Sequence, residues 1–134
     1  AHVYGPWPGE MGRGRSVGEM VDAFLNNKEI TVEEQVAQWT YLYDLAEEHY
    51  AALTAINLKH EIFNAGSGTI SGLSDVKDIL ANKGDVSKIH VDTSKKGSKK
   101  FPFNMNAVSE KLNFKPKYTL KTGVENLINW YSKK

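Results

Sequence analysis

The chain has 134 residues, 40% of them hydrophobic and 25% charged, with no cysteine and a formal net charge of +1. That composition fits one globular unit, residues 1–134, with enough apolar side chains for a core; it excludes wholesale disorder, disulfides and thiolate metal sites. No apolar run approaches the roughly 18 residues of a bilayer span, so no transmembrane helix is expected.

Ala1–Tyr4 is a short apolar piece, stopped at once by Gly5-Pro6-Trp7-Pro8-Gly9, where proline and glycine force a loop. The glycines and prolines of residues 1–14 are unlike a signal peptide, and the missing initiator methionine points to a processed chain or a cut piece. Ser16 opens a first helix, with Glu19 at capping-box spacing and Val17, Met20, Val21, Phe24 and Leu25 on one apolar face. Asn26-Asn27 ends it, and Ile30-Thr31-Val32 is a strand candidate. A second helix is expected from about Tyr43 to Ala55, with Leu42, Leu45, Ala46, His49 and Leu53 as its inner face. Glu61-Ile62-Phe63-Asn64-Ala65 reads as a strand ended by Gly66-Ser67-Gly68.

A third helix is expected from about Gly72 to Asn82, capped by Ser71, with Leu73, Val76, Ile79 and Leu80 buried and Gly84 as its stop. Lys88–Asp92 alternates apolar and polar residues as a strand does. After a lysine-rich loop over 93–100, Asn104 caps a fourth helix that Pro116 keeps from passing Lys115. Thr119 caps a last helix, with Leu120, Val124, Leu127, Ile128 and Tyr131 on one face. The reading is an α/β fold of roughly five helices and a few short strands.

Charge is lopsided. Residues 1–67 carry four basic and ten acidic side chains, and residues 68–134 carry thirteen basic and six acidic ones. Two readings fit: a basic surface for an anionic ligand, or two oppositely charged halves packed together.

The candidate chemistry is sparse. His2, His49, His60 and His90 include no pair at three to five residues, so no metal site is expected. Neither a Gly-x-Ser-x-Gly elbow nor a Walker A motif is present. Gly12, Gly14 and Gly18, with Glu33 further on, loosely echo a dinucleotide fingerprint. The proline-rich stretch after the first apolar piece, and Arg13 and Arg15 between the glycines, argue instead for a structurally flexible loop or for arginine contacts to an anion. Lys95-Lys96-Gly97-Ser98-Lys99-Lys100 is the strongest charge feature, able to hold a phosphate or pyrophosphate. Phe101 and Phe103 follow as Phe-Pro-Phe rather than interleaved with the lysines, so nucleic acid is not the expected ligand.

A series of motifs in order carries a resemblance. Tyr4-Gly5-Pro6 is followed by Gln35, then Trp39-Thr-Tyr41-Leu-Tyr-Asp44-Leu-Ala and Phe63-Asn64-Ala-Gly66-Ser67-Gly68. Leu112-Asn-Phe114-Lys-Pro116-Lys and Leu120-Lys-Thr-Gly123-Val…Trp130-Tyr131 complete it. Over nearly its whole length the chain resembles the carboxyl-terminal part of the extended short-chain dehydrogenase/reductases, the NAD-dependent nucleotide-sugar epimerases and dehydratases. The resemblance implies a helix-rich substrate-binding lobe without its Rossmann half, which in that family carries the cofactor fingerprint and a catalytic Tyr-x-x-x-Lys. Tyr41 and Tyr43 have no lysine four residues on, and Tyr131 has Lys134 only three on. It implies no catalytic residue in this chain, NAD or NADP bound only by the intact parent enzyme, and the Ala1–Tyr4 and Ile62–Ala65 strands completing the Rossmann sheet.

It also implies substrate contacts at His2, Arg13, Arg15, Gln35, Lys95 and Lys96, with Tyr4, Gly5 and Pro6 on the cofactor side. Departures are His2 where the family has asparagine, Ala37 where it often has a phosphate-binding arginine, and Lys95 in place of a later arginine. The expected partners are a nucleotide sugar, the missing Rossmann domain and further copies of the chain, in the cytoplasm. The reading of a different class is a standalone anion-binding or interaction module built on the basic half.

Overall fold

The computed structural model describes residues 2–6, 16–59, 62–95 and 101–133. In chain order its elements are β1 (His2–Tyr4), α1 (Ser16–Leu25), β2 (Ile30–Glu33), β3 (Trp39–Tyr41), α2 (Leu42–Thr54), α3 (Leu73–Ala81), β4 (Ile89–Asp92), α4 (Asn106–Lys111) and α5 (Leu120–Tyr131). The α/β reading with five helices and a few short strands therefore holds for the described residues.

Helices α1, α3 and α5 pack on one another through the apolar faces their sequences predict. Val17, Met20 and Val21 of α1, Leu73, Val76 and Leu80 of α3, and Val124 and Leu127 of α5 are fully buried together. Burying side chains of this size contributes roughly 1.5–3 kcal/mol each relative to exposure, and this cluster is the main source of stability. α1 ends at Leu25, and Asn27 just beyond it, with a φ of 51°, reverses the chain. Thr119 caps α5 as expected, accepting from the Thr122 amide at 3.2 Å.

The strands form two parallel pairs. β1 lies beside β3, with Tyr4 opposite Tyr41, and β2 lies beside β4, with Glu33 opposite Asp92. β3 is absent from the sequence reading, because Trp39-Thr40-Tyr41 is only three residues long and runs straight into α2. Its pairing gives the first strand a partner within this chain. Tyr4 and Tyr41 bury their rings edge to face at 5.4 Å, and Tyr4 donates to the Leu120 carbonyl at 3.3 Å. Gly123 permits this: a Cβ there would sit 2.0 Å from the Tyr4 hydroxyl oxygen.

Three local expectations change. Residues 62–65 form no strand; Ile62 is exposed and Asn64 donates to the Asn104 carbonyl at 3.1 Å instead. The N-cap of α3 is Gly72, not Ser71, whose backbone is taken up by a bridge to Ala37. α4 stops at Lys111, well before Pro116, because Asn113 adopts a φ of 50°. Asn104 still helps α4, accepting from the Asn106 amide at 2.9 Å.

The largest correction is the inner face of α2. Asp44 and Glu48, four residues apart, point inward, while Ala46, His49, Tyr50 and Leu53 are exposed. The physical reason is on the facing segment. Asp44 accepts the amides of Lys117 and Tyr118, each at 2.9 Å, before α5 begins. Those donors need a partner, and the helix turns to supply one at the expense of its hydrophobic periodicity. Glu48 gains nothing comparable: both carboxylate oxygens are buried, and no hydrogen bond of ordinary geometry reaches them. Burial pushes its pKa up, only partly offset by the Gly66 N–H and His49, and Asp44 raises it further.

A carboxyl whose pKa is raised on folding leaves stability intact below its unfolded value, near pH 4.3, and loses it as pH climbs through the folded value. Urea titrations of the parent and Glu48→Gln should therefore diverge from about pH 4 upward, the parent becoming relatively weaker. Glu48→Leu should gain about 1–3 kcal/mol at pH 7 by removing the unpaired group. Parallel stability-against-pH curves for parent and Glu48→Gln would show that Glu48 is not held in an unfavourable state.

Candidate nucleotide-diphosphate site

The parallel pair β2–β4 sets the geometry. Ligand sites in α/β folds lie outside the carboxyl ends of parallel strands, where backbone groups leave the ladder and loops diverge. At that end β2 presents Glu33, and β4 presents Asp92 followed by the turn to Lys95. The Glu34 amide donates to the Asp92 carbonyl at 2.9 Å, extending the pairing by one residue before the chain departs at Gln35. Gln35 and Lys95, distant in sequence, thus both follow the same end of one strand pair, and both are exposed.

Charges here are already matched. Lys95 Nζ forms a short ion pair with the Glu33 carboxylate, across two exposed side chains. The Glu33 hydrogen bond, with its charge, holds the Lys95 ammonium above the usual lysine range, and Asp92 adds to it. Asp92 itself is lowered by its Ser94 hydrogen bonds, the amide one at 2.9 Å. The two charged halves of the sequence meet at such pairs: Lys117 also reaches Glu47 at 2.5 Å, and His90 lies 3.7 Å from Glu29.

The remaining candidates are distributed. His2 begins β1, exposed, with its ring edge to face against Trp39 at 5.1 Å and its amide donating to the Gln38 carbonyl at 2.9 Å. Tyr4 and Pro6 are buried, and burial pushes the Tyr4 phenol well above its ordinary pKa. Tyr41 is pushed up to about 12 by burial and its tyrosine neighbours. Gly5 turns at a φ of 152°, with Leu42 so close that a Cβ would lie 2.7 Å from the Leu42 Cβ. Arg13, Arg15 and Lys96 lie outside the described residues. No group of three or more histidine, aspartate or glutamate side chains suited to a metal occurs among the described residues.

Sequence reasoning missed the residue that holds the site's frame. Glu34, next to Gln35, turns its carboxylate onto the start of α3. It accepts from the Leu73 amide at 2.6 Å and the Ser74 amide at 3.2 Å, and binds the Ser74 hydroxyl closely. Ala37 and Ser71 exchange two backbone hydrogen bonds of 3.0 Å, and Trp39 Nε1 donates to the Ser71 carbonyl at 3.1 Å. The exit from β2 is thereby fixed against α3. A separate cleft of about 570 Å³ lies between α3 and the 116–121 segment, lined by Ser67, Thr69, Asp78, Tyr118 and Lys121 among others, and by none of the predicted site residues.

Comparison with known proteins agrees with this architecture. No family model matches the chain. It is 25% identical over 147 residues to a putative UDP-glucose 4-epimerase of Methanocaldococcus jannaschii, covering 97% of this chain and 43% of that protein. The dTDP-glucose 4,6-dehydratase of Bacillus anthracis, solved with NAD, superposes with a TM-score of 0.80 at 19% identity, covering 98% of this chain and 42% of the enzyme. The UDP-glucose 4-epimerase of Thermotoga maritima, solved with UDP-glucose, gives 0.75 at 24% identity, covering 99% of this chain and 44% of the enzyme. The chain spans less than half the length of these relatives. Its fold is that of a part of the NAD-dependent epimerases and dehydratases, the extended short-chain dehydrogenase/reductases, as the motif order implies.

If Glu34 frames the site, Glu34→Ala should cost about 1–2 kcal/mol, as removal of a good helix cap does. The urea midpoint should fall with the slope unchanged. A loss no larger than that of an ordinary surface substitution, within about 0.5 kcal/mol, would contradict this role.

Proposed function

We propose that this chain is the nucleotide-sugar-binding part of an NAD-dependent epimerase or dehydratase, holding the substrate diphosphate without catalysing a reaction alone. What supports the reading is that Gln35 and Lys95 both follow the carboxyl end of β2–β4, in a fold shared with enzymes of that class. Lys95 offers a mobile point charge to a phosphate oxygen, and the Gln35 amide can both donate and accept. His2, Arg13, Arg15 and Lys96 complete the proposed substrate set. Tyr4, Gly5 and Pro6 shape the cofactor side as a rigid turn.

In the intact enzyme, NAD or NADP bound by a Rossmann half supplies hydride chemistry, and this chain's part is to hold the sugar nucleotide in reach. The outer side of α2 supports such a partner. Tyr43, Tyr50 and Leu53 are exposed there, and Ile56 and Ile62 are exposed beyond the helix, apolar surface of a kind that usually marks an interface. Alone, the chain covers that surface by pairing with a second copy. The cysteine-free composition accords with a cytoplasmic setting.

Calorimetry with UDP-glucose tests the binding role. The parent should bind saturably, Lys95→Ala should bind roughly tenfold more weakly through loss of one charge-assisted contact, and NAD should give no saturable heat. An absence of UDP-glucose binding, or identical binding by Lys95→Ala, would overturn the reading. Light scattering across a dilution series should give a mass above the monomer; a well-folded, persistent monomer would contradict self-association.

A further inference from the structure

The Glu33–Lys95 pair has a physical cause within the sheet. Glu33 and Asp92 stand directly opposite one another on adjacent strands, and like charges in that position repel. Lys95, three residues beyond Asp92, folds back so that its ammonium meets Glu33, with Asp92 close enough to act on it. The cation is therefore neutralised by carboxylates of its own sheet before any ligand arrives. A ligand anion does not meet a free ammonium; it meets an ion pair and must take the place of the Glu33 carboxylate.

Resting on the diphosphate reading above, we propose that Glu33 is the resident counterion of Lys95 and sets the charge a ligand must bring to this site. A carboxylate is a single negative charge held nearby at no cost in association. A monophosphate, at about −1.5 to −2 near pH 7, improves on it only modestly. A diphosphate brings more charge and more acceptor oxygens to the same ammonium, and so displaces Glu33 where a weaker anion does not. Glu33 thereby acts as a specificity-determining residue for the diphosphate class without itself touching the ligand. The exchange is small in energy, because both side chains are exposed and such pairs contribute little. It is read as a few-fold change in affinity and as a change in selectivity.

The experiment is a double-mutant cycle with UDP and UMP as probes, read by calorimetry on the parent chain, Glu33→Gln, Lys95→Ala and the double variant, each checked for an unchanged melting temperature. UDP affinity should rise about two- to fivefold in Glu33→Gln, the range set by an exposed ion pair. UMP should gain more than UDP does, narrowing the preference for UDP. In the Lys95→Ala background the same substitution should give little gain, because the counterion effect acts through Lys95. An equal gain in both backgrounds would make Glu33 a general source of repulsion and overturn the proposal. No gain in Glu33→Gln while Lys95→Ala still weakens UDP would overturn it and leave the diphosphate reading standing. Loss of the Lys95→Ala effect itself would overturn that reading, and the counterion role with it.

Discussion

A helix with its first amides unsatisfied cannot start in the interior of a protein, and α3 starts beside the core. The Glu34 carboxylate resolves this from far along the chain, taking the Leu73 and Ser74 amides together. Much of the fold follows from that contact. It fixes where β2 ends, and so where β2 and β4 part. It draws the 34–39 segment along the start of α3, where the Ala37–Ser71 bridge and the Trp39 indole hold it. The same segment then becomes β3, whose pairing with β1 brings Tyr41 against Tyr4 under Gly123 of α5. An acidic side chain at a helix start is also favoured by the helix dipole, so this anchor occupies the anion position of α3 with a protein group.

Asp44 supplies a second anchor of the same kind, satisfying the backbone ahead of α5 from within α2. The two carboxylates show how the acidic first half of the sequence is used. Some of its charge goes into caps and backbone acceptors, and some into ion pairs with the basic second half, as at Glu33–Lys95 and Glu47–Lys117. Of the two readings of the lopsided charge, these pairs support the packing of the halves against each other, and the anionic-ligand reading stays with the proposal at Lys95.

The three core helices were legible because their apolar residues recur at helical spacing and their faces meet a core in the ordinary way. β2 and β4 were legible from β-branched and alternating residues. α2 misled because its periodicity is real but faces outward: Tyr50 is 70% and Leu53 84% exposed, while Asp44 and Glu48 are inside. No local pattern reveals that an amide pair more than seventy residues away requires an acceptor there. Glu34 was missed for the same reason, since a carboxylate that caps a distant helix looks like any surface acid. The expected strand over 62–65 had the right residue types, yet extended backbone becomes a strand only beside another strand. Of the site, Gln35 came from the resemblance and Lys95 from the lysine run as well as the resemblance, and their shared end of β2–β4 needed the pairing register.

The candidate site therefore rests on one placement: a diphosphate bound where β2 and β4 diverge. The most direct test is an amide-resolved NMR titration of the chain with UDP-glucose. Shifts confined to residues 33–35 and 92–95, with α2 and the cleft between α3 and the 116–121 segment undisturbed, are the expected result. Shifts centred on that cleft around Thr69, Asp78 and Tyr118, or none at saturating ligand, would contradict it.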